Sequence, residues 1–173
     1  MKEVCILRHA NWNLVDNQLT DEGRQRCNTL KPALGSFALV ISSPFGRTRQ
    51  TAELLSGEAS TVDERAGVLK SPPGFSEKIT ELRKTHPFGV AGAIISIPEL
   101  RAPLRAQGEA FKELISETLS KLNDSERALI VSHDGTMVAL EKVLNNASFD
   151  EIDRTYGELE GFRVNEGMEL LPL

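Results

Sequence analysis

Three short apolar runs, each followed at once by polar or basic residues, constrain the fold of this chain more than any other feature. The runs at 4–7, 39–41 and 128–131 have the composition of buried β-strands, and amphipathic segments separate them. This alternation predicts a mostly parallel sheet with helices on both faces. Two further strand-like segments, at 159–164 and 168–172, predict a C-terminal antiparallel hairpin.

The individual elements can be placed along the chain from periodicity and capping signals. We predict strands at 3–8, 38–42, 60–63 and 127–132. We predict helices at about 20–34, from Gly46 or Arg47 onward, at 75–85, at 108–122 and at 135–145. The region from about 65 to 107 contains five prolines and four glycines, which predicts an irregular segment, either a substrate-facing insertion or a packed surface connection.

Composition limits the classes of protein to which the chain can belong. A length of 173 residues predicts one domain, residues 1–173, and a net charge of −5 argues against nucleic-acid binding. No apolar segment has the length of a membrane span, so we expect a cytoplasmic protein with no membrane partner. Cys5 and Cys27 lack metal-site spacing and are expected to be free thiols. The oligomeric state stays open.

The residues that follow the apolar runs carry the chemistry. The first run leads into Arg8 and His9, the last into His133, and the middle run is followed by Arg47. In open α/β sheets, ligands bind beyond the carboxyl ends of the strands, so these side chains are expected to meet in one crevice.

Two imidazoles and two guanidiniums in one crevice suit the transfer of a phosphoryl group. A neutral imidazole on a rigid strand end, here His9, can act as a nucleophile. The guanidiniums of Arg8 and Arg47 match the geometry of phosphate oxygens. His133, if protonated, would add positive charge to the transferring group.

The chain resembles the histidine phosphatase superfamily, also called phosphoglycerate-mutase-like, in an ordered set of motifs. These are Leu7-Arg8-His9-Ala10 (with alanine for the usual glycine), Leu19-Thr20-Asp21-Glu22-Gly23-Arg24-Gln25, the block from Ser42 to Glu53, Gly108-Glu109, and Val131-Ser132-His133-Asp134-Gly135. The size is similar to that of short bacterial phosphohistidine phosphatases. The resemblance implies a three-layer α/β/α fold, phosphorylation of His9 followed by hydrolysis, phosphate binding by Arg8, Arg47 and His133, and no metal or other cofactor.

The proton donor departs from the family pattern. The glutamate that the family often places after the strand near residue 63 has no clear equivalent here. Asp134 is similar to the donor of the acid-phosphatase branch, and an alkoxide leaving group needs such an acid. Asp134 could instead be a helix cap turned away from the crevice. Glu77 and Glu81 are further candidates, and Asn11, Trp12 and Asn13 are guesses for substrate contacts.

The sequence therefore predicts a phosphatase that hydrolyses a phosphomonoester or a phosphoprotein through a phosphohistidine on His9. Two alternatives stay open. One is a phosphate-recognising binding protein without turnover, and the other is a phosphoglycerate mutase. The substrate itself is not identified by these motifs.

Overall fold

A six-stranded sheet forms the middle layer of the computed structural model, which describes residues 1–173. Its strands are β1 (Glu3–Arg8), β2 (Leu39–Ser42), β3 (Thr61–Val62), β4 (Arg127–Ser132), β5 (Gly161–Asn165) and β6 (Leu170–Pro172), in the order β3-β2-β4-β1-β5-β6. Strands β1 to β4 are parallel, whereas β5 and β6 run antiparallel and close the sheet as the predicted hairpin. The predicted mixed α/β fold is confirmed.

Six helices cover the two faces of the sheet. They are α1 (Asp21–Leu34), α2 (Gly46–Ser56), α3 (Phe75–Leu82), α4 (Gly89–Ile95), α5 (Pro98–Lys121) and α6 (Asp134–Leu144), and a 3-10 turn spans Glu64–Ala66. Thr20 caps α1, because its hydroxyl accepts a hydrogen bond from the Gly23 amide at 3.1 Å. None of these helices is both long enough and apolar enough to span a bilayer.

Alternating residues of the central strands contribute to two separate hydrophobic cores. On β1, Val4 and Ile6 pack with residues of α4, α5 and α6, whereas Cys5 and Leu7 pack with residues of α1 and α2. This division follows from the two-residue repeat of a strand, which sends successive side chains to opposite faces. Both cysteines are buried free thiols.

The region from 65 to 107 is more regular than predicted. It contains α3, α4 and the first ten residues of α5, which begins at Pro98 rather than at 108. A proline is tolerated at the first position of a helix because its missing N–H would have no partner there. Pro103 lies inside α5 at a cost of about 3 kcal/mol, which burial of Leu100 and Leu104 on the same face offsets.

Helix α5 lies very close to α6 at Gly108. A Cβ atom on Gly108 would lie 2.6 Å from the backbone oxygen of Ala139. The glycine of the Gly108-Glu109 pair therefore has a packing role, because no larger residue fits without moving one helix.

Candidate active site

The carboxyl ends of three parallel strands lie side by side at one edge of the sheet. Arg8 of β1 is in register with Ser132 of β4, and the His9 amide donates to the Ser132 carbonyl at 3.2 Å. On the other side of β4, the Ser43 amide donates to the Val131 carbonyl at 3.2 Å. The sheet register thus places the backbones of His9, Ser43 and His133 side by side at this edge.

The structure brings His9, Arg47 and His133 into direct contact. The imidazole ring centroids of His9 and His133 are 5.3 Å apart. Arg47 lies between the rings, with Nε donating to His9 Nε2 at 3.1 Å and Nη2 to His133 Nδ1 at 3.3 Å. All three side chains are buried, with 4%, 8% and 5% of their surface exposed. One anion at this point could touch all three.

The environment of His9 fixes it as a neutral imidazole whose Nε2 carries no proton and accepts a hydrogen bond from Arg47. Its Nδ1 donates to the Ala10 carbonyl at 2.9 Å, so in the neutral ring Nε2 carries no proton. The pKa of His9 is lowered to about 3, mainly by burial and to a smaller extent by the charges of Arg47 and Arg8, against the raising effect of the Ala10 hydrogen bond. At neutral pH this ring has the protonation state of a nucleophile.

His133 is also held neutral. Burial, and then the neighbouring His9 and Arg47, place its pKa well below the ordinary value. Its Nδ1 faces Arg47, and its Nε2 lies 2.8 Å from the hydroxyl oxygen of Ser43, which in turn contacts Thr48 at 2.7 Å. With Nδ1 accepting from Arg47, the Nε2–H donates to Ser43. His133 therefore does not carry the positive charge that a protonated ring would add.

Two aromatic rings hold the guanidinium of Arg47. Its Cζ lies 4.1 Å from the ring centroid of Trp12 and 4.6 Å from that of Phe45, within the range of cation–π attraction. The same rings meet His9 and His133 edge-on. Nη1 also donates to Asn17 Oδ1 at 2.5 Å. Burial lowers the pKa of Arg47 to about 10, which leaves it charged at neutral pH.

Arg8 lines the same cavity but forms no hydrogen bond with either imidazole. Its Nη1 donates to the Tyr156 carbonyl at 2.5 Å, and its buried Nε has no hydrogen-bond partner. A buried donor without a partner is unfavourable, so an acceptor on a ligand would be stabilising here.

Among the candidate acids, only Asp134 lines the cavity. Its Oδ1 accepts hydrogen bonds from the Tyr156 amide at 3.0 Å and from the Thr155 hydroxyl, so its side chain does not cap α6. Glu77 and Glu81 are exposed on α3, and Glu81 pairs with Lys84 at 2.6 Å.

The asparagines guessed as substrate contacts make local hydrogen bonds instead. Asn11 Oδ1 accepts from the Thr20 hydroxyl at 3.0 Å, and Asn13 Oδ1 accepts from the Val15 amide at 2.9 Å. Of that group, Trp12 alone lines the cavity.

These residues surround a cavity of about 600 Å³. Its base contains Arg8, His9, Arg47, His133 and Asp134, and its walls contain Trp12, Val68, Leu69, Arg83, Lys84, Pro87, Phe88, Gly89, Val90, Ile94, Leu104, Gly135, Thr136 and Thr155. Sequence reasoning placed the base but missed Phe45, Asn17 and Thr155. It also missed Arg83 and Lys84, whose only sequence signal is a pair of basic residues inside the segment expected to face substrate.

Comparison with known families identifies the architecture. The family model described as histidine phosphatase superfamily (branch 1) matches residues 4–164, nearly the whole chain. The chain belongs to the histidine phosphatase superfamily. The superfamily match includes every strand end that contributes to the cavity base. Comparison with curated protein sequences gives no match.

Several solved structures, two of which are described as phosphatases, share the fold of this chain. A mycobacterial glucosyl-3-phosphoglycerate phosphatase complexed with VO3 superposes with a TM-score of 0.68 at 18% identity, over 95% of this chain and 93% of the other. Phosphoserine phosphatase from Entamoeba histolytica, complexed with 3-phosphoglyceric acid, gives 0.67 at 16% identity over 99% and 95%. YhfR of Bacillus stearothermophilus gives 0.67 at 18% identity over 99% and 95%. At these identities the likeness shows the fold.

The buried neutral state of His9 predicts a specific dependence of stability on pH. In the unfolded chain His9 titrates near 6.5, whereas in the folded chain it stays neutral down to about pH 3. As pH falls from 7 to 5, the unfolded state gains a proton that the folded state does not, so His9 destabilises the fold by about 2 kcal/mol over that interval.

Urea unfolding at several pH values measures this contribution as a difference between wild type and the His9→Asn variant. Wild type should lose about 2 kcal/mol more than the variant between pH 7 and pH 5. Parallel stability curves for the two proteins would contradict the neutral assignment of the folded His9.

Proposed function

We propose that the chain is a phosphatase that hydrolyses a phosphomonoester or phosphoprotein through a phosphohistidine on His9. The observation that carries the proposal is the neutral His9 ring, with its Nε2 lone pair aimed at the guanidinium of Arg47 beside His133. Imidazole in this state is nucleophilic, and the neighbouring donors match the oxygens of a phosphoryl group.

The first step begins when the phosphate enters the cavity base. Arg47 Nε exchanges its hydrogen bond to His9 Nε2 for one to a phosphate oxygen, which frees the lone pair. The unpartnered Nε of Arg8 donates to another phosphate oxygen. Both guanidiniums then stabilise the charge that spreads over the equatorial oxygens in the transition state.

Phosphoryl transfer then proceeds in two displacements. His9 Nε2 forms a bond to phosphorus as the bond from phosphorus to the ester oxygen breaks, and the departing oxygen takes a proton from Asp134. Water next attacks the phosphohistidine, gives its proton to the Asp134 carboxylate, and releases phosphate with His9 neutral again. Asp134 Oδ2 is the oxygen for this role, since Oδ1 already accepts two hydrogen bonds.

The basic test is steady-state hydrolysis of p-nitrophenyl phosphate by the purified protein. The proposal expects continuous release of nitrophenol and phosphate. Tight binding of phosphate without release of nitrophenol would instead indicate a binding protein. Isomerisation of 3-phosphoglycerate in a coupled assay, faster than its hydrolysis, would indicate a mutase.

The acid role of Asp134 predicts an effect that depends on the leaving group. Asp134→Asn should lower kcat/KM for an alkyl phosphate by about 10²-fold, since an alkoxide needs a proton to leave. The loss should be about threefold or less for p-nitrophenyl phosphate, whose leaving group departs as an anion. Asparagine keeps an oxygen for the Thr155 and Tyr156 hydrogen bonds.

Glu77→Gln is the matched control for that variant, because Glu77 is an exposed acid outside the cavity. It should hydrolyse both substrates at the wild-type rate. Equal losses on both substrates in Asp134→Asn would show that Asp134 is not the proton donor.

A further inference from the structure

The rim of the cavity carries positive charge that the proposed phosphoryl chemistry does not use. Arg83 and Lys84 follow α3 directly and line the same cavity as His9 and Arg47. The side chains of Arg83 and Lys84 are exposed, whereas those of His9 and Arg47 are buried. The cavity therefore has cations at both ends, with two guanidiniums at its base and a second group at its opening.

Among the cations of the cavity, Arg83 is the one whose charge is balanced neither by the chain nor by a bound phosphate. At the base, Arg8 and Arg47 match the two negative charges of a phosphate dianion. At the rim, Lys84 Nζ already pairs with Glu81 at 2.6 Å. Arg83 forms no ion pair within the chain, although the protein as a whole has a net charge of −5. Arg83 is therefore available to pair with a further negative charge on a ligand that reaches the rim.

Part of the cavity wall is apolar. It includes Leu69, Phe88, Ile94 and Leu104, and Val90 stands at the opening with 40% of its surface exposed. Such a wall favours hydrocarbon or aromatic surface on the part of the ligand that connects its two ends. Hydroxyl groups of a ligand would find no hydrogen-bonding side chain on these four residues.

The segment that presents Arg83 is held in place by the neighbouring helix. His86 Nδ1 accepts a hydrogen bond from the Phe88 amide at 3.1 Å, which fixes the turn between α3 and α4. The His86 ring packs on Gly92 of α4, where a Cβ atom would lie 2.0 Å from Nδ1. The segment that carries Arg83 is therefore packed against α4.

We propose that Arg83 is a specificity-determining residue that binds a second anionic group of the substrate. The favoured substrates are small phosphomonoesters whose leaving group joins an apolar body to a carboxylate or a second phosphate. The role of Arg83 in substrate specificity rests on the proposed phosphatase function. The binding of a second anion by Arg83 can be tested without turnover.

The test uses phosphonates, which resist hydrolysis, so that binding is measured apart from turnover. Isothermal titration calorimetry would give Kd values for benzyl phosphonate carrying a 4-carboxylate, for its methyl ester, and for the analogue with a second phosphonate. A homologous set with one more methylene tests a second spacing between the two anionic groups. The proteins are wild type, Arg83→Met, and Lys78→Met, which removes an exposed charge from α3 outside the cavity.

Wild type should bind at least one doubly anionic ligand about tenfold more tightly than its methyl ester, as expected of a charge-assisted contact at a half-open site. Arg83→Met should lose this preference with an unchanged Kd for the ester, whereas Lys78→Met should keep it. The comparison of carboxylate with second phosphonate identifies which anion the rim prefers.

Two results would overturn the proposal: no preference in wild type at either length, or a preference that survives Arg83→Met. Turnover of the corresponding phosphates is scored separately. If the protein binds doubly anionic ligands more tightly than their esters but hydrolyses no phosphate, the Arg83 subsite stands and the phosphatase function is rejected. If it hydrolyses phosphates but shows no such preference in binding, the phosphatase function stands and the subsite is rejected.

Discussion

Replacement of His9 by alanine is expected to lower the turnover of phosphomonoesters by about 10³-fold or more, because the variant has no atom to accept the phosphoryl group. The loss should appear in kcat for good and poor leaving groups alike, since both pass through the same phosphoenzyme. Steady-state rates with p-nitrophenyl phosphate and with an alkyl phosphate measure it.

Two controls separate a missing nucleophile from a damaged fold. The alanine variant leaves room where the ring was, so added imidazole should restore part of the rate. The thermal unfolding midpoint should confirm that the variant is folded. A folded His9→Ala protein that keeps more than about a tenth of the wild-type rate would exclude His9 as the nucleophile.

The second large effect is expected at Arg47. Arg47→Ala should lower kcat/KM by about 10²- to 10³-fold, because it removes a buried cationic donor from the transition state. It should also weaken inhibition by phosphate and vanadate. Arg47→Lys should recover only part of this loss, since an ammonium lacks the planar fork that stacks between Trp12 and Phe45.

Arg49 offers the matched control for Arg47. It lies two residues further along α2 and is exposed to solvent. Arg49→Ala should retain wild-type kcat/KM and wild-type inhibition by vanadate. Equal losses in the two variants would mean that the net charge of this helix, and not the contact of Arg47 with His9 and His133, governs anion binding.

The fold was largely predictable because its signals are local. The strand at Glu3–Arg8 contains the continuous apolar run 4–7, and α1 begins where Thr20 can cap it. The start of α5 was not predictable from turn propensity, since Pro98 and Pro103 usually mark breaks. The apolar spacing of Leu100, Leu104 and Phe111 was the stronger signal, because burial of that face offsets the cost of one proline.

The cavity base was predictable for a different reason. Parallel strands must present their carboxyl ends at one edge, so His9 and His133 follow from topology. The contacts of Trp12 and Phe45 with Arg47 depend on side-chain geometry across distant segments, for which sequence spacing carries no signal. The position of Arg83 at the rim likewise depends on the packing of His86 against Gly92.

Detection of the phosphorylated enzyme tests the central claim most directly. Wild type mixed with a ³²P-labelled phosphomonoester and quenched within milliseconds should carry label that is labile in acid, stable in alkali, and located on the peptide containing His9. The label should form and decay at rates at least equal to kcat, and His9→Ala should carry none. Steady turnover without label on His9, or label on His133 instead, would contradict the account.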